Sequence, residues 1–174
     1  PAGSFLIAQR FSRKGGKKRE RDSVRLTNLA ILTMVVLASL ALGFWTYLQI
    51  QLPIILIAGA LGLWLFYVQH QYEDVYWARN GVWDPVKAAL QGSSYYKLPK
   101  VLQWFSANIG IHHVHHLYSR IPFYRLTEVL RDHAELNNSN RMTIRESLCC
   151  ARLHLWDEDK KRLLSFAQAR AIYG

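Results

Sequence analysis

From Leu26 through His70 the chain carries no Asp, Glu, Lys or Arg. As one helix this block would run to more than about 60 Å at ~1.5 Å per residue, about twice the hydrocarbon thickness of a bilayer. It has to fold back. Gln49-Ile50-Gln51-Leu52-Pro53 offers the break, with two amides flanking a turn and Pro53 suited to the first turn of a second helix. The pattern predicts one span at 27–48 and another at 53–72. Small residues on each (Ala38, Ser39, Ala41 and Gly43; Ala58, Gly59, Ala60 and Gly62) would let the two pack closely. Trp45 and Tyr47 fall where the first span would leave the membrane, as interfacial anchors do. A buried helical hairpin inside a soluble protein is the alternative, and so long an uncharged run argues against it.

What flanks this block sets its orientation. Residues 1–9 are apolar but far below the ~20 residues a span requires, and read as an interfacial segment or the end of an upstream element. Arg10, Arg13, Lys14, Lys17, Lys18, Arg19, Arg21 and Arg25 follow, against only Glu20 and Asp22. Over the whole chain Lys and Arg outnumber Asp and Glu by 22 to 12, a net charge of +10. Such an excess can signal nucleic acid. No RNA-binding signature, zinc-finger spacing or helix-turn-helix pattern accompanies it, so no nucleic-acid partner is expected. Beside an apolar block the run reads as a cytosolic juxtamembrane loop, and the positive-inside rule then leaves both ends of the chain cytosolic. Adjacent Cys149 and Cys150 read as free thiols on that reducing face.

Four histidines, His112, His113, His115 and His116, fall within five residues. On a helix His112, His115 and His116 share one face, at i, i+3 and i+4, with His113 pointing sideways. Three neutral imidazoles on one point can hold Zn, Cu, Fe or Ni. His70 ends the second span on the same side of the membrane, and an ionisable residue at such a boundary is a candidate for function. Glu73, one turn on, could orient an imidazole or ligate, or simply be a solvated carboxylate. A helix is predicted from about Leu98-Pro99 through the histidines, with Val101, Leu102, Phe105 and Ile109 on its apolar stripe. Asn108 would lie on the ligand face, where it and Tyr118 could hold a bound water or an imidazole. Gly110 inside that helix implies a close approach by something else. His133 and His154, isolated among charged residues, read as surface histidines.

Elsewhere Asp84-Pro85 reads as a helix start and Gly92 as its stop, within an aromatic-rich stretch holding Tyr76, Trp77, Trp83, Tyr95 and Tyr96. After Pro122, amphipathic helices are predicted at 124–136, from Thr143 with a capping box to Glu146, and at 157–172. The fold expected is an all-α integral membrane protein in four parts. These are a basic juxtamembrane segment (1–25), a transmembrane hairpin (26–72), a cytosolic histidine-box region (73–123) and C-terminal cytosolic helices (124–174).

The stretch Asn108-Ile-Gly-Ile-His-His-Val-His-His-Leu-Tyr-Ser-Arg-Ile-Pro-Phe-Tyr124 resembles the third histidine box, H-x-x-H-H, of the membrane-bound fatty acid desaturases. It is most similar to the acyl-lipid, delta-12/omega-6-like branch and its bacterial relatives. Gln69-His70-Gln71-Tyr72-Glu73 is similar to the Gln-His segment before that box. The resemblance implies a non-haem di-iron (Fe2+) centre with His70, His112, His115 and His116 among its ligands. It further implies an acyl-chain substrate from membrane lipid and an electron donor of ferredoxin or cytochrome b5 type. The family's first two histidine boxes are absent from this chain, which begins at Pro1 without an initiator Met. The chain is therefore expected to be the C-terminal part of such an enzyme, inactive without the N-terminal part. A lipid or carotenoid hydroxylase or ketolase of the same superfamily, or a non-catalytic membrane anchor, are the alternatives.

Overall fold

The computed structural model describes residues 10–11, 15–138 and 140–174. The apolar segment 1–9, Arg13, Lys14 and Ser139 lie outside the described residues. The chain divides into two units, before and after Leu63.

The first unit is built from long apolar helix. α1 runs Lys18–Leu42 and α2 runs Phe44–His70, into the second unit. At 25 and 27 residues both are long and apolar enough to cross a membrane. No residue of α1 is buried, and α2 buries only Val68 and Gln69 at its end. The break between them differs from the predicted one. It falls at Gly43, at φ 84° and ψ 139°, a conformation open to glycine but strained for other residues. The Gly43 N–H closes α1 on the Ser39 carbonyl at 2.9 Å. Helix α2 runs straight through Gln49–Gln51 and Pro53. Pro53 lacks a ladder N–H and its ring crowds the carbonyl four residues back, yet the helix continues past it, whereas the positive-φ Gly43 ends the ladder. The small-residue stripes make no close seam either, for a Cβ added at Gly59 or Gly62 would meet nothing within 4 Å.

The second unit mixes short helices with two small sheets and so is not all-α. It contains α3 (Pro85–Gln91), β1 (Tyr95–Lys97), α4 (Lys100–Phe105) and α5 (His112–Leu117). Then come a 3-10 turn, α6 (Leu126–Asp132), a second 3-10 turn (Ala134–Asn138), β2 (Arg141–Thr143) and α7 (Ile144–Cys150). The chain ends with β3 (Leu153–Asp157), β4 (Arg162–Ser165) and α8 (Phe166–Tyr173). β1 pairs in parallel with β2, and β3 pairs antiparallel with β4. One apolar cluster gathers Val68, Tyr72, Tyr96, Leu98, Met142 and Cys150; a second gathers Tyr95, Ile111, Val114, Leu126 and Leu130.

Local capping signals behave as the sequence predicts. Asp84 Oδ1 accepts the backbone N–H groups of Val86 and Lys87, and the Thr143–Glu146 capping box forms. The helix predicted at 157–172 instead divides into strand, turn and helix. Asp157 Oδ1 accepts the N–H groups of Asp159 and Lys160, and Lys161 then takes a positive φ (51°), which a continuing helix would not allow. Leu153–Asp157 then pairs antiparallel with Arg162–Ser165 as a hairpin, and Ser165 with Gln168 caps the helix that does form. The helix predicted at 124–136 is likewise shortened to α6 between two 3-10 turns.

Candidate metal centre

The C-terminal end of α2 is held by four polar side chains in quick succession, each reaching a backbone carbonyl. Tyr67 Oη donates to Cys150 O (3.1 Å), Gln69 Nε2 to Ile109 O (2.7 Å) and Gln71 Nε2 to Leu153 O (3.0 Å), and Tyr72 Oη donates to Gln91 O. Gln69 is fully buried, and its own carbonyl accepts the Ser94 N–H at 3.0 Å. An amide at the end of an apolar helix is costly unless satisfied, so these bonds hold the last turn in one place. That turn ends in His70.

The histidine box is carried differently from the prediction. No single helix runs from 98 to 116; α4 stops at Phe105, and Ala107 and Asn108 take positive φ (52° and 54°) in a turn. Gly110 lies in that turn's exit, its carbonyl accepting the Tyr96 N–H at 2.8 Å, while Ile111 bridges to Tyr95. A Cβ on Gly110 would run into the Tyr96 carbonyl oxygen. The close approach the sequence suggested is therefore a strand passing over the turn. The box then occupies the short helix α5, with Ile111 and Val114 packed inward.

Three imidazole nitrogens converge. His112 Nε2 lies 3.0 Å from His70 Nε2 and 3.0 Å from His116 Nε2, and the three residues each offer one ligand atom within 4.8 Å of the others. His70 Nδ1 stands 3.1 Å from the Gly92 carbonyl. A carbonyl only accepts, so the His70 proton sits on Nδ1 and its Nε2 presents a lone pair. Burial, helped by the neighbouring His116, His70, His115 and His113, pushes the His112 imidazole down to about 3. Burial first, then His70 and His115, lowers His116 as well. Both rings are thus neutral at physiological pH, as ligation requires.

Hydrogen bonding alone serves this cluster poorly. One proton on His112 Nε2 cannot lie well on both 3.0 Å lines. A cation among three lone pairs satisfies all of them. Two ligands at right angles, each ~2.1 Å from one ion, stand about 3.0 Å apart, so the His112–His70 and His112–His116 spacings each fit a first-row metal.

The remaining predicted residues are placed elsewhere. His115 is not brought into the group; its ring centre lies 5.7 Å from that of His112 and 6.0 Å from that of His116. His113 is fully buried and donates through Nε2 to the Leu136 carbonyl at 3.0 Å. Asn108 is off the ligand face, donating to the Phe123 carbonyl at 3.1 Å from its turn. Glu73 pairs with Arg162 at 3.0 Å rather than with an imidazole. His133 bonds Glu135 and His154 packs on Phe166, both apart from the cluster. Sequence reasoning missed Gly92, which was read only as a helix stop, and Ser94. A backbone carbonyl leaves no trace in residue type, and only the polar character of Gln69 beside His70 hinted at an anchored turn.

A family model described as "Fatty acid desaturase" matches residues 2–147. A curated relative named "Fatty acid desaturase" from Bacillus subtilis (strain 168) is 45% identical over 172 residues. The match covers 99% of this chain and 49% of the relative, so the chain spans about half the relative's length. No solved structure matches.

Proposed function

The chain belongs to the fatty acid desaturase family, and we propose that it forms the C-terminal half of an enzyme that introduces a double bond into an acyl chain at the expense of dioxygen. In this reading His70, His112 and His116 hold one ferrous ion of a non-haem di-iron centre. His115, set apart from them, would serve the other ion together with histidines from the rest of the enzyme. Bound there, the iron pair would supply the oxygen activation that hydrogen removal from an unactivated methylene demands.

What this chain's own residues do is hold and prepare. Gly92 fixes the tautomer and plane of His70. Burial keeps His112 unprotonated, so its nitrogen is ready for a cation without first losing a proton. Ile111 and Val114, each 1% exposed, close the inner side of the box helix to water. Helices α1 and α2 would lie in the membrane, with the basic run and the histidine-bearing unit on the cytosolic face. That placement would bring a lipid acyl chain and an electron donor of ferredoxin or cytochrome b5 type to the same site.

The observation that carries the reading is the meeting of His70 with His112 and His116, 42 residues apart in the first pair. The test is made in the intact enzyme, supplied with reductant, by gas chromatography of its acyl chains. His112→Ala and His116→Ala are each expected to abolish the unsaturated product, with the protein still present in membranes. Unsaturated product at the unmodified level in either variant would refute the assignment. A hydroxylated chain from the unmodified enzyme would favour the hydroxylase alternative.

A further inference from the structure

Helix α5 has six residues, too few to sustain itself, and no side chain caps its start at Ile111. Its orientation must come from what it packs against. Ile111 and Val114 are buried in the second apolar cluster, but apolar contact is non-directional and leaves the roll of a short helix loosely set. His113 is directional. It is fully buried, its Nε2–H reaches the Leu136 carbonyl at 3.0 Å, and its ring tilts on Tyr95 with centres 5.8 Å apart. Leu136 belongs to the Ala134–Asn138 turn, and Tyr95 to β1, which pairs with β2 just beyond that turn. The hydrogen bond therefore ties the box helix to a frame assembled from other parts of the chain.

We propose that His113 is the positioning residue of the cluster: its bond to the Leu136 carbonyl sets the roll of α5 and so registers His112 and His116 against His70. This rests on the metal-ligand reading above. Side-chain tips stand ~5–6 Å from a helix axis, so a roll of about 10° moves a ligand nitrogen by about 1 Å. Metal–ligand distances tolerate only ~0.2 Å. A directional contact that holds the roll is thus worth more to the site than its share of folding stability.

The test uses the full chain in detergent micelles, with Co(II) as the metal probe. His113→Leu keeps apolar bulk and removes the donor; His113→Gln returns an N–H near the position of Nε2. Co(II) affinity, read by calorimetry, is expected to fall about tenfold or more in His113→Leu. It is expected to recover in His113→Gln, together with the cobalt absorption spectrum of the unmodified chain. Undiminished affinity in His113→Leu, or equal loss in both variants, would overturn the proposal while leaving the ligand assignment standing. Should His113→Leu fail to fold, long-range nitrogen-15 NMR on the unmodified chain decides. An Nε2–H tautomer at His113 supports the proposal, and an Nδ1–H tautomer overturns it. No Co(II) uptake by the unmodified chain would remove the ligand reading and this inference with it.

Discussion

Gly110→Ala should damage both the fold and the site, by an amount the geometry bounds. The new methyl would meet the Tyr96 carbonyl oxygen, with the Tyr96 carbonyl carbon at 3.5 Å and Leu98 Cδ1 at 3.9 Å behind it. The obstacle is backbone, so no side chain can swing away. Relief requires the turn to move off β1, which strains the Tyr96 N–H to Gly110 carbonyl bond at 2.8 Å and the Tyr95–Ile111 bridge. Overpacking costs about 1–3 kcal/mol. Loss of one buried backbone bond adds about 0.5–1.5 kcal/mol. The expected total is about 1.5–4.5 kcal/mol, and at ~4 °C per kcal/mol for a unit of this size the melting temperature falls by about 6–18 °C. Ile111 and His112 follow directly, so the displacement also carries His112 away from His70 and weakens Co(II) uptake. Circular dichroism melts of the chain in detergent, with Gly62→Ala as control, make the measurement. Gly62 has open space around it and sits inside α2, so alanine there should leave the melt level or raise it. A Gly110→Ala melt within about 2 °C of the unmodified chain would refute the reasoning.

Three further outcomes follow from the same structure. Gln69→Ala strips Ile109 of its donor in a buried setting, and a loss of about 1–3 kcal/mol in thermal or denaturant unfolding is expected, with weakened Co(II) binding because His70 is next in sequence. The Asp157 carboxyl is held below its usual range chiefly by the Lys160 N–H, with Tyr173 and the Asp159 N–H contributing. A depressed folded-state value means its contribution is present above the unfolded value near ~3.9 and fades as pH falls through the folded one. Asp157→Asn should therefore flatten the acid limb of melting temperature against pH below about 4, and an unchanged limb would count against the turn assignment. Maleimide should label one thiol in the folded chain and two after denaturation, since Cys149 is exposed while Cys150 is buried and its thiol is pushed up to about 11, first by burial. Mass spectrometry reads the count, and rapid double labelling of the folded chain would contradict it.

How much was legible in advance differs from residue to residue. The caps at Asp84 and Thr143 were readable because each acts within three residues of itself. The pair of apolar helices was readable from the uncharged run, although Gly43 rather than Gln49–Pro53 breaks it. The hairpin at 153–165 is not, since a charged run at 157–162 fits an exposed helix face as well as a turn, and the positive φ of Lys161 (51°) decides between them. Counting back four residues from His112 puts Asn108 on the ligand face only if the helix is continuous, and it stops at Phe105.

By itself the sequence determined the two bilayer-length helices, the box helix with His112 and His116 one turn apart, and membership of a family whose motif it carries. These follow from spacings of a few residues and from composition, which act locally. Only the tertiary structure decided that His70 joins that pair, that His115 stands outside it, and that Gly92 and Leu136 supply the carbonyls that orient His70 and His113. Those outcomes depend on buried amides and carbonyls finding one another across tens of residues. Every residue carries a carbonyl, and which one becomes a partner is settled when the chain packs.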